Sequence, residues 1–416
     1  MEDTENIQIL QRYYHTAVVY LLLTATMAAI LFGLRIFQVY LPFSLSIATV
    51  HLGTLGALTM GIMGLYLRLF YGLEVVEVKP WTVRTIHILP NVGIGILTIG
   101  FLLNTWPVLA VGFLGTAYAL IWWAVEYFRW LLQADSADRK GALLFGAFGV
   151  IGLVVAVLIG GYLFHGYLSG NTVQNMRLTH IHAGFVGWAS LGLLGIGIAL
   201  RGGENPVTKS IGILQGSAWV WFAGFLLLAG FMVTWNLSLL MIAGSIIILG
   251  LFGYGYSMPK VGELGSDSSE AGTAAGSKRL LPYIIIGFLG LFVAILLGFD
   301  ISINYPSGRA GSHRIIGVGG WLVMTFLMAL LSEIPRTSLA LLQSKGETVT
   351  AVQQYLYPGI FRIGWIVLTA GLLIALTGYF TSPTIMFAGL LLLTGMVAIL
   401  AISVLMKYPV TTGRAS

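Results

Sequence analysis

Two histidines, His180 and His182, stand one residue apart at the head of an apolar, glycine-studded stretch, LTHIHAGFVGWASLGLLG (178–195). Imidazole can ligate a metal or move a proton near neutral pH, yet a single histidine on an apolar face is more often a hydrogen-bonded core residue. Recurrence decides between the two readings. HLGTLGALTMGIMG (51–64) and HAGFVGWASLGLLG (182–195) share their leading histidine and the glycines 2, 5, 10 and 13 residues behind it. The two segments lie 131 residues apart, and a further step of 131 from His182 reaches His313, in GSHRIIGVGGWLVMTFLMALL (311–331), where the glycines have drifted. His51, His182 and His313 therefore recur at one register of an internal repeat. Glycines on one flank let a helix or a flat ligand approach the backbone. Close helix packing alone accounts for the glycines and leaves the histidines unexplained.

The elements that must carry these residues are membrane helices. The chain has 416 residues, of which 57% are hydrophobic and 9% charged, with a mean hydropathy of +0.92. A run of about 20 apolar residues crosses a bilayer's hydrocarbon core as a helix, and twelve such runs are predicted: 16–38, 42–70, 85–103, 107–128, 142–165, 176–200, 211–234, 237–257, 281–301, 311–332, 358–380 and 383–406. Continuous runs of this length exclude an outer-membrane barrel, whose strands alternate. The fold class is thus an all-α polytopic membrane protein of twelve helices in three pseudo-repeats of four. Two polar stretches, LQADSADRKG (132–141) and GELGSDSSEAGTAAGSK (262–278), mark the boundaries. The repeats run 1–135, 136–265 and 266–416, and the three recurring histidines open the second helix of each.

Lys and Arg concentrate in the cytoplasmic loops of membrane proteins. With both termini in the cytoplasm, all but four of the 21 basic residues (Arg35, Arg177, Arg309 and Arg314) fall on that side. The histidine-bearing ends then lie at the outer face of a cytoplasmic membrane. The net charge of +6 reflects this bias and gives no reason to expect a nucleic-acid partner. The N-terminus lacks the basic region and cleavage site of a signal peptide, so the first helix is expected to stay as an anchor. The chain has no cysteine, which removes disulfides, thiolate metal sites and covalent c-type haem attachment.

Twelve helices in three blocks of four, with histidines opening the second, sixth and tenth, resemble subunit I of the haem-copper oxidase superfamily. The segments HLGTLGALTMGIMG and HIHAGFVGWASLGLLG are similar to those of its divergent cbb3-like and NnrS-type members. The resemblance implies that His51 and His313 are the two axial ligands of a low-spin haem b. It also implies where the family's oxygen-reducing centre is lost. The tenth-helix position that normally carries a second histidine is Gly311, and the seventh helix, IGILQGSAWVWFAGFLLLAGFMV, carries no histidine for copper. An oxygen reductase is therefore not expected, and whether the protein is an enzyme at all stays open.

The other imidazoles have separate expectations. His180 and His182, with His165 at the outer end of the fifth helix, offer a copper or zinc site, or a second haem. Two residues apart on a helix, His180 and His182 point about 200° from one another, so they face different neighbours; by the repeat register, His182 faces the cofactor core. His15 and His87 read as interfacial residues at the inner face. The outer arginines Arg314, Arg309 and Arg177 suit carboxylates such as haem propionates, which guanidinium binds bidentately. Glu126 and Glu333 are expected to form helix-end ion pairs with Arg129 and Arg336. The expected function is electron transfer or the handling of a diatomic gas such as nitric oxide, with an electron-donor protein or quinol as partner besides the lipid bilayer. The competing expectations are a haem-free twelve-helix transporter and a non-catalytic subunit of a respiratory complex.

Overall fold

A computed structural model describes residues 2–39, 42–71, 76–134, 140–169, 174–201, 211–234, 236–257, 271–303, 310–344 and 359–408. Among the described residues all regular structure is helical, in twelve rods. They are α1 (Glu2–Ile36), α2 (Phe43–Tyr71), α3 (Pro80–Leu103), α4 (Trp106–Gln133), α5 (Lys140–Ser169), α6 (opening with Gln174–His182), α7 (Ile211–Thr234), α8 (Leu237–Ser257), α9 (Ala271–Ile303), α10 (opening with Ala310–Arg314), α11 (Ile360–Thr381) and α12 (Pro383–Lys407). Eleven are long and apolar enough to cross a membrane, and α9 contributes a shorter apolar stretch, Pro282–Gly298. Large apolar side chains such as Leu114, Leu158, Phe252 and Phe380 cover the outside. The protein is a polytopic α-helical membrane protein.

Local chemistry sets the ends. Prolines occupy the first turns of α3, α4 and α12, where no amide donor is needed. Asn104 closes α3 in the left-handed conformation, φ 51°, and turns the chain within two residues into α4. Two helices start ten or more residues before their apolar runs. α1 begins at Glu2, because its polar first turns bury Ile9, Leu10, Tyr13 and Tyr14 inside the bundle. α9 begins at Ala271, inside the stretch expected to be a loop.

The packing repeats three times. In each block the first helix packs on the second, α1 on α2, α5 on α6 and α9 on α10. The third and fourth form an antiparallel hairpin, α3–α4, α7–α8 and α11–α12. The blocks join through α4–α5 and α8–α9, and α1 packs on α12 to close the ring. The second helices, α2, α6 and α10, form the centre, and a single hydrophobic cluster runs through all three blocks. Lipid tails are as apolar as side chains, so helices in a bilayer are held by close packing and interhelical hydrogen bonds. Here the indole of Trp188 donates to Thr59 Oγ1 (3.0 Å), tying α6 to α2, and that of Trp321 donates to Ser190 Oγ (2.8 Å), tying α10 to α6.

Each central helix has the same irregularity. It widens into a π-helix just behind its leading histidine, over Leu52–Thr59 in α2, Ala183–Ser190 in α6 and Ile315–Val323 in α10. Side chains follow the wider ring: Thr59 Oγ1 donates to the Thr54 carbonyl and Ser190 Oγ to that of Phe185, five residues back. Hydroxyls on the α-helical turns reach four back, as Thr49 does to Leu45. π-Helical segments are rare and gather at functional sites.

Candidate functional site

The structure gathers four imidazoles at the histidine end of the central helices, in two facing pairs. The rings of His51 on α2 and His180 on α6 lie 6.3 Å apart, centroid to centroid, with planes 24° apart. Those of His182 on α6 and His313 on α10 lie 6.4 Å apart at 22°. The pairing expected between His51 and His313 is therefore corrected: the imidazole facing His51 is His180, and the one facing His313 is His182. The cause is that α6 runs between α2 and α10. Because Gln174–His182 is regular α-helix, its two histidines point to different sides, as expected from their spacing, and each meets one neighbour.

Every one of the four rings has its Nδ1 tied to a backbone carbonyl. His51 Nδ1 bonds Ile47 O (2.9 Å) and His182 Nδ1 bonds Leu178 O (2.8 Å), each one turn back on its own helix. His180 Nδ1 bonds Ala156 O on α5 (2.9 Å), and His313 Nδ1 bonds Ala294 O on α9 (2.8 Å). A carbonyl can only accept, so each Nδ1 carries the proton and each Nε2 presents a lone pair. Fixing the tautomer through the outer nitrogen is how proteins orient a ligating histidine.

These bonds sort the histidines into two kinds and revise the repeat register. His51 and His182 are one kind, separated by 131 residues. His180 and His313 are the other, separated by 133. His313 thus corresponds to His180 and not to His182. The same shift of 133 superposes Gly187-Trp188 on Gly320-Trp321, so α10 follows α6 by two residues more than α6 follows α2. Sequence reasoning missed a further signal, GLVVAVLIG (152–160) on α5 and GLFVAILLG (290–298) on α9. Their central alanines supply the two carbonyls that hold the second kind of histidine.

The remaining expected residues lie elsewhere or in supporting positions. His165 is exposed on α5, and His180 has turned to His51, so the expected three-imidazole copper or zinc site of His165, His180 and His182 does not assemble; among the described residues no three His, Cys, Asp or Glu side chains converge on a metal position. Arg177 lies over the ring of Phe43 (5.0 Å to the centroid), joining the histidine ends of α6 and α2. Arg314 follows His313 and is exposed, and Arg309 falls outside the described residues. Both ring nitrogens of His15 lie against carbonyl oxygens, those of Gln11 and Tyr408, and His87 Nε2 pairs with Thr16 Oγ1. Glu126 pairs with Arg129 (3.2 Å) and Glu333 with Arg336 (3.4 Å), as expected, and Glu333 also meets Arg68.

The pairs suit a metal that brings most of its own ligands. Two imidazoles on opposite sides of one metal, each with nitrogen about 2 Å from it, leave their ring centroids about 6 Å apart, as both pairs do. A bare zinc site takes about four protein ligands, and each pair offers two. A haem iron takes four nitrogens from its macrocycle and its axial ligands from the protein, histidine among them. All four residues keep part of their surface open although they stand on central helices. Comparison with known protein families and with characterised proteins finds no match to this chain, so the residues carry the functional reading alone.

Proposed function

We propose that this protein is a membrane b-type haem protein of the haem-copper oxidase kind that lacks the family's oxygen-reducing centre and serves electron transfer. The observation that carries the reading is the facing of imidazoles across one metal's width with every Nδ1 committed and every Nε2 free of it. Haem b, when bound, supplies a one-electron couple whose potential depends on its axial ligands and on charge nearby. The chain's part is to hold two neutral imidazoles rigidly on packed helices and to raise their basicity through the carbonyls behind them. Two imidazoles given to the iron would leave it no open position for nitric oxide, which favours electron transfer. Arg314 and Arg177 are guanidinium groups at this end suited to carboxylates. The electron partner is a donor protein or a quinol reaching the histidine end, which lies at the outer face if both termini are cytoplasmic.

The test is absorbance and composition of the purified protein. A Soret band, a sharp reduced α-band and a pyridine haemochrome of the b type are expected, with no copper or zinc in proportion to protein. A colourless, metal-free preparation would sink the reading and leave the haem-free transporter.

A further inference from the structure

We infer that the chain builds two complete and separate bis-imidazole sites, His51 with His180 and His182 with His313, each formed by the same duplicated helix-pair device. The inference rests on the haem reading above and adds the number of sites, their ligands and what shapes them. On α5, Gly152, Ala156 and Gly160 stand one turn apart along a single face, and Gly290, Ala294 and Gly298 do the same on α9. The first glycine seats the central helix: a Cβ on Gly152 would come 2.5 Å from the carbonyl carbon of Gly187, and one on Gly290 2.7 Å from that of Gly320. The alanine's carbonyl receives the histidine Nδ1–H. The last glycine makes room for the ring: a Cβ there would lie 3.2 Å from His180 Cε1 at Gly160, and 3.4 Å from His313 Cε1 at Gly298. Three contacts in the same order on both helix pairs mark one device used twice.

The third helix pair, α1–α2, lacks it. The register that places His180 and His313 puts Thr49 on α2, and the one that places His182 after a shift of 133 puts Ile315 on α10. Where Gly187 meets a glycine backbone, Gly56 meets Tyr20, whose ring carbon Cγ would lie 2.5 Å from an added Cβ. Where the other seams have Trp188 with Thr59 and Trp321 with Ser190, this one offers Ala57 and Val323. The third seam has neither the ligands nor the cradle, so the number of sites is two.

The experiment is haem-to-protein ratio with low-temperature electron paramagnetic resonance on the full chain and its variants. Two haems per chain are expected. His51→Ala and His180→Ala should remove the same low-spin signal, His182→Ala and His313→Ala the other, and each variant should retain about one haem. Gly160→Val should remove the first signal alone and Gly298→Val the second alone. In case a valine disturbs folding, His180→Gly tests the same site, with free imidazole restoring the lost signal. One haem per chain in the wild type, or loss of a single shared signal in both His51→Ala and His313→Ala, would overturn the inference while leaving the haem reading standing. Failure of imidazole to restore the signal in His180→Gly would overturn it too. A preparation with no haem fails the underlying reading instead.

Discussion

The two ends of the bundle use the same residue types in opposite ways. At one end four imidazoles each commit one nitrogen to a carbonyl and keep the other free, with part of each residue open. At the other end polar groups engage protein neighbours: His15 is held on both nitrogens and buried, His87 meets Thr16, Gln11 reaches Ser338 (3.2 Å), and fully buried Glu333 lies between Arg68 and Arg336. A histidine becomes a ligand through what its second nitrogen lacks, and hydropathy or position in the membrane does not reveal that. On the proposed reading, cofactor chemistry belongs to one end and cohesion to the other.

The largest expected effect tests that division directly. His182→Ala should abolish about half of the bound haem and its low-spin signal, whereas His15→Ala should leave haem content and spectrum unchanged. An altered spectrum in His15→Ala would erase the contrast between the ends. Glu333→Ala should do the reverse. Removing one partner of a buried ion pair costs about 3–5 kcal/mol; with Arg68 and Arg336 partly exposed, the lower figure is expected in detergent denaturation, with the spectrum of the folded fraction unaltered.

A smaller effect is expected where the central helices are cross-linked. Trp188→Phe deletes the bond to Thr59 Oγ1, and hydrogen bonds between membrane helices are worth about 1 kcal/mol, so a modest loss of stability with both haems retained is expected. Loss of a haem in that variant would show that the Trp–hydroxyl link positions the ligands as well as holding the helices. The smallest effect falls at the rim: Arg177→Ala removes an exposed cation–π contact with Phe43, worth about 0.5–1 kcal/mol. It should leave stability nearly unchanged, and a shift in one haem's midpoint potential would place a carboxylate beside that arginine. Orientation has its own check: labels at Met1, Ser268 and Ser416 should be protected from an external reagent, and those at Ser169 and Ser307 should react.

The sequence by itself determined the membrane class, the twelve helices and the end of the bundle where the histidines gather. Each of these follows from effects that are local or periodic along the chain: apolar runs must close their own hydrogen bonds in hydrocarbon, and prolines and polar stretches interrupt them. The divergence of His180 from His182 was legible for the same reason, since both lie within one regular α-helical segment. Which imidazole faces which was decided only by the tertiary structure. The π-helical segments behind the leading histidines break the α-helical phase on which face assignments depend, and an α6-to-α10 spacing two residues longer than that from α2 to α6 moves His313 from the register of His182 to that of His180. That displacement is visible only once Gly187 and Gly320 are seen packed in the same way against α5 and α9. The carbonyls of Ala156 and Ala294 come from helices 24 and 19 residues away in the chain, and a backbone oxygen has no residue type to betray its role in a sequence.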